Sequence, residues 1–163
     1  MIILGVDPGY GTIGYGVIEK NGSKIVPIDY GVIQTPKDEG IAARLAMIYD
    51  SLNVLIKKFR PDEIAVEELF FNTNITTGIK VAQARGVILL CAVHECGRLY
   101  EYTPLMVKQS LTGNGRADKK QIQYMVKMML GLKTEPKPDD AADALAIAIC
   151  HANTCGFNQR ILN

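Results

Sequence analysis

The chain of 163 residues carries 18 Lys and Arg against 17 Asp and Glu, a formal net charge of +1, with 48% apolar and 21% charged residues. That length suits one domain over 1–163, and the composition excludes a disordered chain; 15 Gly and seven Pro without a triplet period exclude a collagen-like one. Net charge alone gives no case for a polyanion partner, so any nucleic-acid surface must come from local clustering of the basic residues.

The longest uninterrupted apolar run, residues 87–93, falls far short of the roughly 18 residues that a membrane span requires, and no membrane partner is expected. Met1-Ile2-Ile3-Leu4 lacks a basic leader, which predicts a cytoplasmic protein whose Cys91, Cys96, Cys150 and Cys155 are reduced thiols.

Ile2-Ile3-Leu4-Gly5-Val6 is apolar and β-branched and stops at the turn signal Asp7-Pro8-Gly9, which predicts a buried first strand. Tyr15-Gly16-Val17-Ile18 predicts a second, closed by the hairpin signal Asn21-Gly22. Residues 24–35 predict a third, with Pro27 marking an edge or a bulge. The period then changes. Ile41, Leu45, Ile48, Leu52, Leu55, Ile56 and Phe59 recur at steps of three and four, an amphipathic helix that Pro61 ends. Glu63-Ile64-Ala65-Val66-Glu67 predicts a fourth, central strand reached by a crossover.

Residues 76–96 predict a helix so apolar in its second half that deep burial is expected, and Leu99-Tyr100-Glu101-Tyr102 predicts a fifth strand. Residues 112–116 read as a flexible loop before an amphipathic helix bearing Ile122, Met125, Val126, Met129 and Leu130. Pro136-Lys137-Pro138-Asp139 reads as a linker, and a last helix begins at Asp139 or Asp140. These elements predict one α/β domain with a mixed five-stranded sheet flanked by helices.

Four acids stand where acids are costly. Asp7 ends the first strand, Glu67 ends the fourth, and Asp140 and Asp143, three residues apart, share a face in the first turn of the last helix. Each has an ordinary reading taken singly: Asp7 as a turn residue, Asp140 as a helix cap, Asp143 as a helix-dipole partner. Glu68 is the solvated neighbour of Glu67. If the first and fourth strands adjoin and the last helix packs on them, all four meet. Such a cluster repels itself unless hard divalent cations such as Mg²⁺ relieve it, and two metals about 3.5–4 Å apart suit phosphodiester hydrolysis.

Together, Gly5-Val6-Asp7-Pro8-Gly9, Gly14-Tyr15-Gly16-Val17, Val66-Glu67, Gln83-Ala84-Arg85-Gly86 and residues 140–146, Asp-Ala-Ala-Asp-Ala-Leu-Ala, resemble the RuvC-type Holliday-junction resolvases over nearly the whole chain. The resemblance implies an RNase H-like (retroviral-integrase-like) fold and a homodimer. It also implies paired symmetric nicking of four-way DNA junctions with two Mg²⁺ or Mn²⁺ ions, and association with the RuvA–RuvB branch-migration complex. Asp7, Glu67, Asp140 and Asp143 match the family's metal-binding catalytic acids, and Asp139 falls outside the motif. Lys108 and Lys119 match its lysines beside the cut strand, where a cation offsets charge developing on the phosphate. Arg116, Lys119, Lys120 and Lys127 cluster with Lys108 as a phosphate track, and the glycines at 113 and 115 let backbone approach DNA. Phe70 matches the family's base-stacking aromatic, with core filling as the alternative for Phe70 and Phe71. The helix carrying Gln83 and Arg85 resembles the dimer-forming helix of the family.

Competing readings are weaker. Cys91, His94, Cys96, Cys150, His151 and Cys155 lack paired zinc-ligand spacing, and the cysteines read as buried thiols acting as small hydrophobes. Asp7-Pro8-Gly9-Tyr10-Gly11-Thr12 resembles the phosphate loop of actin-like kinases, but such enzymes need a second phosphate loop and a second domain. Another RNase H-like nuclease would lack the full motif series. A non-catalytic junction-binding module would have no use for a costly acid cluster.

Overall fold

A computed structural model describes residues 1–68 and 75–154. The elements in chain order are β1 (Ile2–Asp7), β2 (Thr12–Asn21), β3 (Lys24–Gln34), α1 (Ile41–Phe59), β4 (Glu63–Glu67), α2 (Ile75–Glu95), β5 (Leu99–Tyr102), α3 (Pro104–Thr112), α4 (Lys119–Leu130) and α5 (Asp139–Thr154). They form a five-stranded sheet in the order β3-β2-β1-β4-β5. The first three strands pair antiparallel, and β4 and β5 add in parallel after crossovers. The register of β2 and β3 shifts between Val17 and Ile18, where Ile18 faces Pro27, as a strand proline at the sheet edge requires.

Strand alternation divides the core into two layers. Ile3, Ile18, Ala65, Tyr100 and Tyr102 face α3, α4 and α5, whereas Leu4, Val6, Val17, Ile64 and Val66 face α1 and α2. Helix α5 is the most enclosed: eleven of its residues, from Ala141 to Ala152, are buried. It lies against β1 and β2 at backbone distance because glycines face it. A Cβ on Gly5 would strike the Ala144 carbonyl, and one on Gly14 would strike the Asp140 carbonyl.

Three differences from the sequence expectations have physical causes. The α2 helix is not deeply buried. Ala84, Ile88, Cys91 and Ala92 pack inward, but Ile79, Leu90 and Val93 are exposed, because only one face meets α1 while apolar residues run around the whole helix. By length and hydropathy α2 could cross a membrane, yet it carries Arg85, ion-paired with Glu101 of β5. Second, residues 104–112 form a helix, α3, that the sequence reading passed over. Its start is a Thr103 cap that accepts from the Met106 amide, followed by proline at the first helical position. Third, the loop at 112–116 is ordered by local bonds: Gly113 adopts a positive φ to cap α3, and Asn114 Oδ1 accepts from the Arg116 amide. The Asp118–Gln121 capping box then starts α4.

Candidate active site

The parallel pairing of β1 and β4 sets Val6 opposite Val66, so Asp7 and Glu67 finish neighbouring strands at the same end of the sheet. On the other side of β1, Asp7 pairs with Gly14, and the bare Gly14 admits the first turn of α5 with Asp140. Asp143 follows one turn later. The sequence thus brings its four acids to one end of the sheet through strand register, a missing side chain and helix period.

Their electrostatics show the convergence. Burial, then the charges of Glu67, Asp143 and Asp140, push the Asp7 carboxyl from 3.8 to about 8, with Lys119 opposing. Burial and Asp143 push Glu67 to about 7, with Lys108 opposing. Burial also raises Asp143. Cut off from water and crowded by like charge, Asp7 and Glu67 keep their protons well above the usual carboxylate range.

Among the described residues no three acidic, histidine or cysteine side chains are drawn together as a finished metal-ligating set. Asp143 Oδ2 is held instead by Lys119 Nζ at 3.2 Å. Lys119 also lies 3.4 Å from Asp139 Oδ2. Burial would lower the Lys119 ammonium, but Asp143 and Asp139 hold it above the ordinary lysine value. Asp139 differs from the other acids: Lys137 at 3.3 Å, Lys119 and the Gln123 amide bind it, and its carboxyl is depressed.

Lys108, half-buried on α3, is close enough to lower Glu67, and Lys119 at the start of α4 is close enough to lower Asp7. Arg116 and Lys120 are exposed on the adjoining loop and the first turn of α4. Phe70 and Phe71 lie outside the described residues, as does Cys155. Cys91 and Cys150 are buried with thiols pushed up to about 11 by burial, so they behave as small apolar groups.

Two charged features escaped the sequence reading. His151, fully buried, lies 2.6 Å from Glu63 Oε2 and 2.6 Å from the Tyr102 hydroxyl. Arg44 is buried on the inner face of α1 with Ile48, Leu52 and Ile56. That run of four residues, each four apart, was a visible signal: a charge stood on the core stripe of an amphipathic helix.

Comparison with known proteins places the chain in a family. Residues 3–151 match the family model described as crossover junction endodeoxyribonuclease RuvC. The protein of that name from Desulfitobacterium hafniense (strain Y51) is 55% identical over 162 residues, 99% of this chain and 98% of the relative. That from Clostridioides difficile (strain 630) is 52% identical over 163 residues, 100% of this chain and 96% of the relative. The structure of Thermus thermophilus RuvC matches with a TM-score of 0.89 and 37% identity, covering 99% of this chain and all of the other. T. thermophilus RuvC in complex with Holliday junction substrate gives the same TM-score at 34% identity, with the same coverage of both chains. The yeast mitochondrial resolvase Ydc2, 18% identical with a TM-score of 0.69, shares the fold. With an RNase H-like sheet whose strand ends and last helix gather the acids, and relatives matched end to end, this chain belongs to the RuvC family of crossover junction endodeoxyribonucleases.

Proposed function

We propose that this protein resolves Holliday junctions by two symmetric nicks in strands of like polarity, acting as a homodimer with Mg²⁺ at each active site. The observation that carries the reading is the gathering of Asp7, Glu67, Asp140 and Asp143 at one end of the sheet, with Asp7 and Glu67 driven to about 8 and about 7. Carboxylates held so far from their ordinary behaviour by burial and then by mutual repulsion are a set of hard oxygen donors lacking a counter-charge. The donor chemistry therefore fits divalent metal, with Mn²⁺ as a substitute. Two such ions, when bound, would supply activation of the attacking water and charge at the leaving oxygen.

The chain itself does the rest. Lys119 and Lys108 place ammonium groups beside Asp7 and Glu67, where they offset charge on the cut phosphate. Arg116 and Lys120 extend the cationic surface along the DNA backbone. Phe70, following β4, is assigned the stacking role at an opened junction by family resemblance. The products are a 5′-phosphate and a 3′-hydroxyl.

The exposed side of α2 supports the homodimer. Ile79, Ala82, Gly86, Leu90 and Val93 make an apolar stripe at steps of three and four along the outer face of a helix whose inner face is already packed. Association with the RuvA–RuvB complex and a cytoplasmic site of action belong to the same reading.

The deciding experiment incubates the protein with a synthetic four-way junction and Mg²⁺, beside linear duplex and the Asp7→Asn variant. Paired nicks on the junction alone, absent in EDTA and in the variant while binding persists, are expected. Equal cutting of duplex would make the protein a general nuclease, and binding without nicks under Mg²⁺ or Mn²⁺ would end the enzymatic reading.

A further inference from the structure

The loop joining β1 to β2 holds a second charged group of residues, on the opposite sheet face from Lys108 and Lys119. Its centre is the Tyr10 ring. The Arg44 guanidinium of α1 lies 3.6 Å from the ring centroid, and the Lys80 ammonium of α2 lies 5.4 Å from the same centroid. Arg44 is only 6% exposed. Its Nε donates to Thr35 Oγ1 at 2.9 Å and its Nη2 donates to the Tyr10 carbonyl at 3.3 Å, both neutral acceptors. Thr35 in turn ties the loop down: its hydroxyl donates to the Tyr10 carbonyl and its amide to the Gly11 carbonyl.

Among the described residues neither Arg44 nor Lys80 has a carboxylate within ion-pair distance. A buried guanidinium without counter-charge is unfavourable, and the ring face compensates it only in part. The guanidinium lies close beneath the surface at Gly11. A Cβ at the half-exposed Gly11 would meet only Arg44 Nη2, at 3.4 Å, so the arginine edge lies directly under a bare glycine surface. The loop begins at the residue after Asp7. A strand of DNA laid across the acids would meet Lys108 and Lys119 from the α5 face and this pair from the α1–α2 face.

We infer that Arg44 and Lys80, arrayed on Tyr10, form a binding subsite for a backbone phosphate of the junction strand next to the one that is cut. A planar guanidinium matches two phosphate oxygens, and the nearby ammonium adds charge without geometric demand. The subsite rests on the junction-cutting reading and extends it. It makes the β1–β2 loop a grip on the strand, so that the acids at one face of the sheet end receive a phosphate held from the other.

The test is junction affinity as a function of salt, read by fluorescence anisotropy of a labelled synthetic four-way junction in EDTA, where no strand is cut. Each phosphate contact contributes close to one unit to the slope of log affinity against log salt. Lys80→Gln, at an exposed position, is expected to lower the slope by about one, and Lys80→Gln with Arg44→Gln by about two. Arg44→Lys is expected to keep the slope but weaken binding several-fold, since the fork is lost. Melting curves identify any Arg44 variant that fails to fold, in which case Lys80→Gln and Tyr10→Ala carry the test. A slope and affinity unchanged in Lys80→Gln, with the wild-type protein binding, overturn the subsite alone. A wild-type protein that does not bind the junction overturns the junction reading and the subsite with it.

Discussion

Asp7 and Glu67 end adjacent parallel strands, and the charge of Glu67 is the largest influence after burial in holding a proton on Asp7 up to about pH 8. In the unfolded chain Asp7 ionises near 3.8, so between about pH 4 and 8 the folded state binds the extra proton. Stability of the metal-free protein therefore falls as pH rises through that window, and Glu67, raised from 4.5 to about 7, acts in the same direction. Asp7→Asn is expected to melt higher than wild type at pH 8 in EDTA, by roughly 5 °C or more, with the gap closing towards pH 4. Calorimetry across pH checks this. A variant destabilised equally at both ends of the range would refute the electrostatic account.

Gly14 is the position on which the approach of α5 depends. Its bare Cα faces the Asp140 carbonyl, so a methyl group there must push the first turn of α5 away from β2 and carry Asp140 and Asp143 with it. Gly14→Ala is expected to cost about 1–3 kcal/mol of stability and, in the folded fraction, to slow nicking well beyond any change in junction affinity. Denaturation and single-turnover cutting measure the two effects. Full cutting rates at normal stability would show that α5 can shift without moving its acids.

Much of this was legible in the sequence. The apolar runs and turn signals marked all five strands, β1 and β4 as unbroken apolar runs because they bury both faces, and the step of three to four marked α1, which buries one face and so prints its period in the chain. The four acids were legible because strand ends and a helix start dictate where they fall. The long α2 misled: apolar residues around its whole circumference look like burial, yet only one face packs within the chain. Helix α3 was missed because its nine residues bury only Val107 and Leu111, too few to show a period. The partnership of Glu63 with His151 joins residues 88 apart, and no local pattern announces it.

That buried histidine makes its own prediction. One tautomer serves both neighbours: Nε2–H donates to Glu63, and Nδ1 accepts from the Tyr102 hydroxyl. Burial depresses the His151 pKa below its ordinary 6.5, with the bond to Glu63 opposing. The unfolded chain thus takes up a proton that the folded one resists, and stability is lost as pH falls below about 6.5. His151→Phe removes the histidine bonds to Glu63 and to the Tyr102 hydroxyl, while Tyr100 and Arg98 stay beside Glu63 and Thr154 beside Tyr102, and is expected to cost about 2 kcal/mol at pH 7.5. Its stability should also decline less between pH 7 and 5 than that of wild type. Urea titrations at several pH values measure both, and parallel pH curves would show that His151 is not the group responsible.

The outer stripe of α2 yields the last prediction. Ile79 is 56% exposed, Leu90 51% and Val93 45%, a degree of exposure along one helix face that a second copy of the same face would cover. Gly86 at the middle of the stripe lets two such helices approach closely, and a Cβ there meets nothing within 4 Å in its own chain. Gly86→Arg and Leu90→Glu should therefore leave the melting of the monomer fold almost unchanged while abolishing association. Sedimentation should give a dimer for wild type and a monomer for either variant at micromolar concentration. Paired cutting tests the consequence: a monomer holding one acid cluster should leave singly nicked junctions where the dimer leaves two resolved duplexes. A variant that stays dimeric places the interface on another face of the protein.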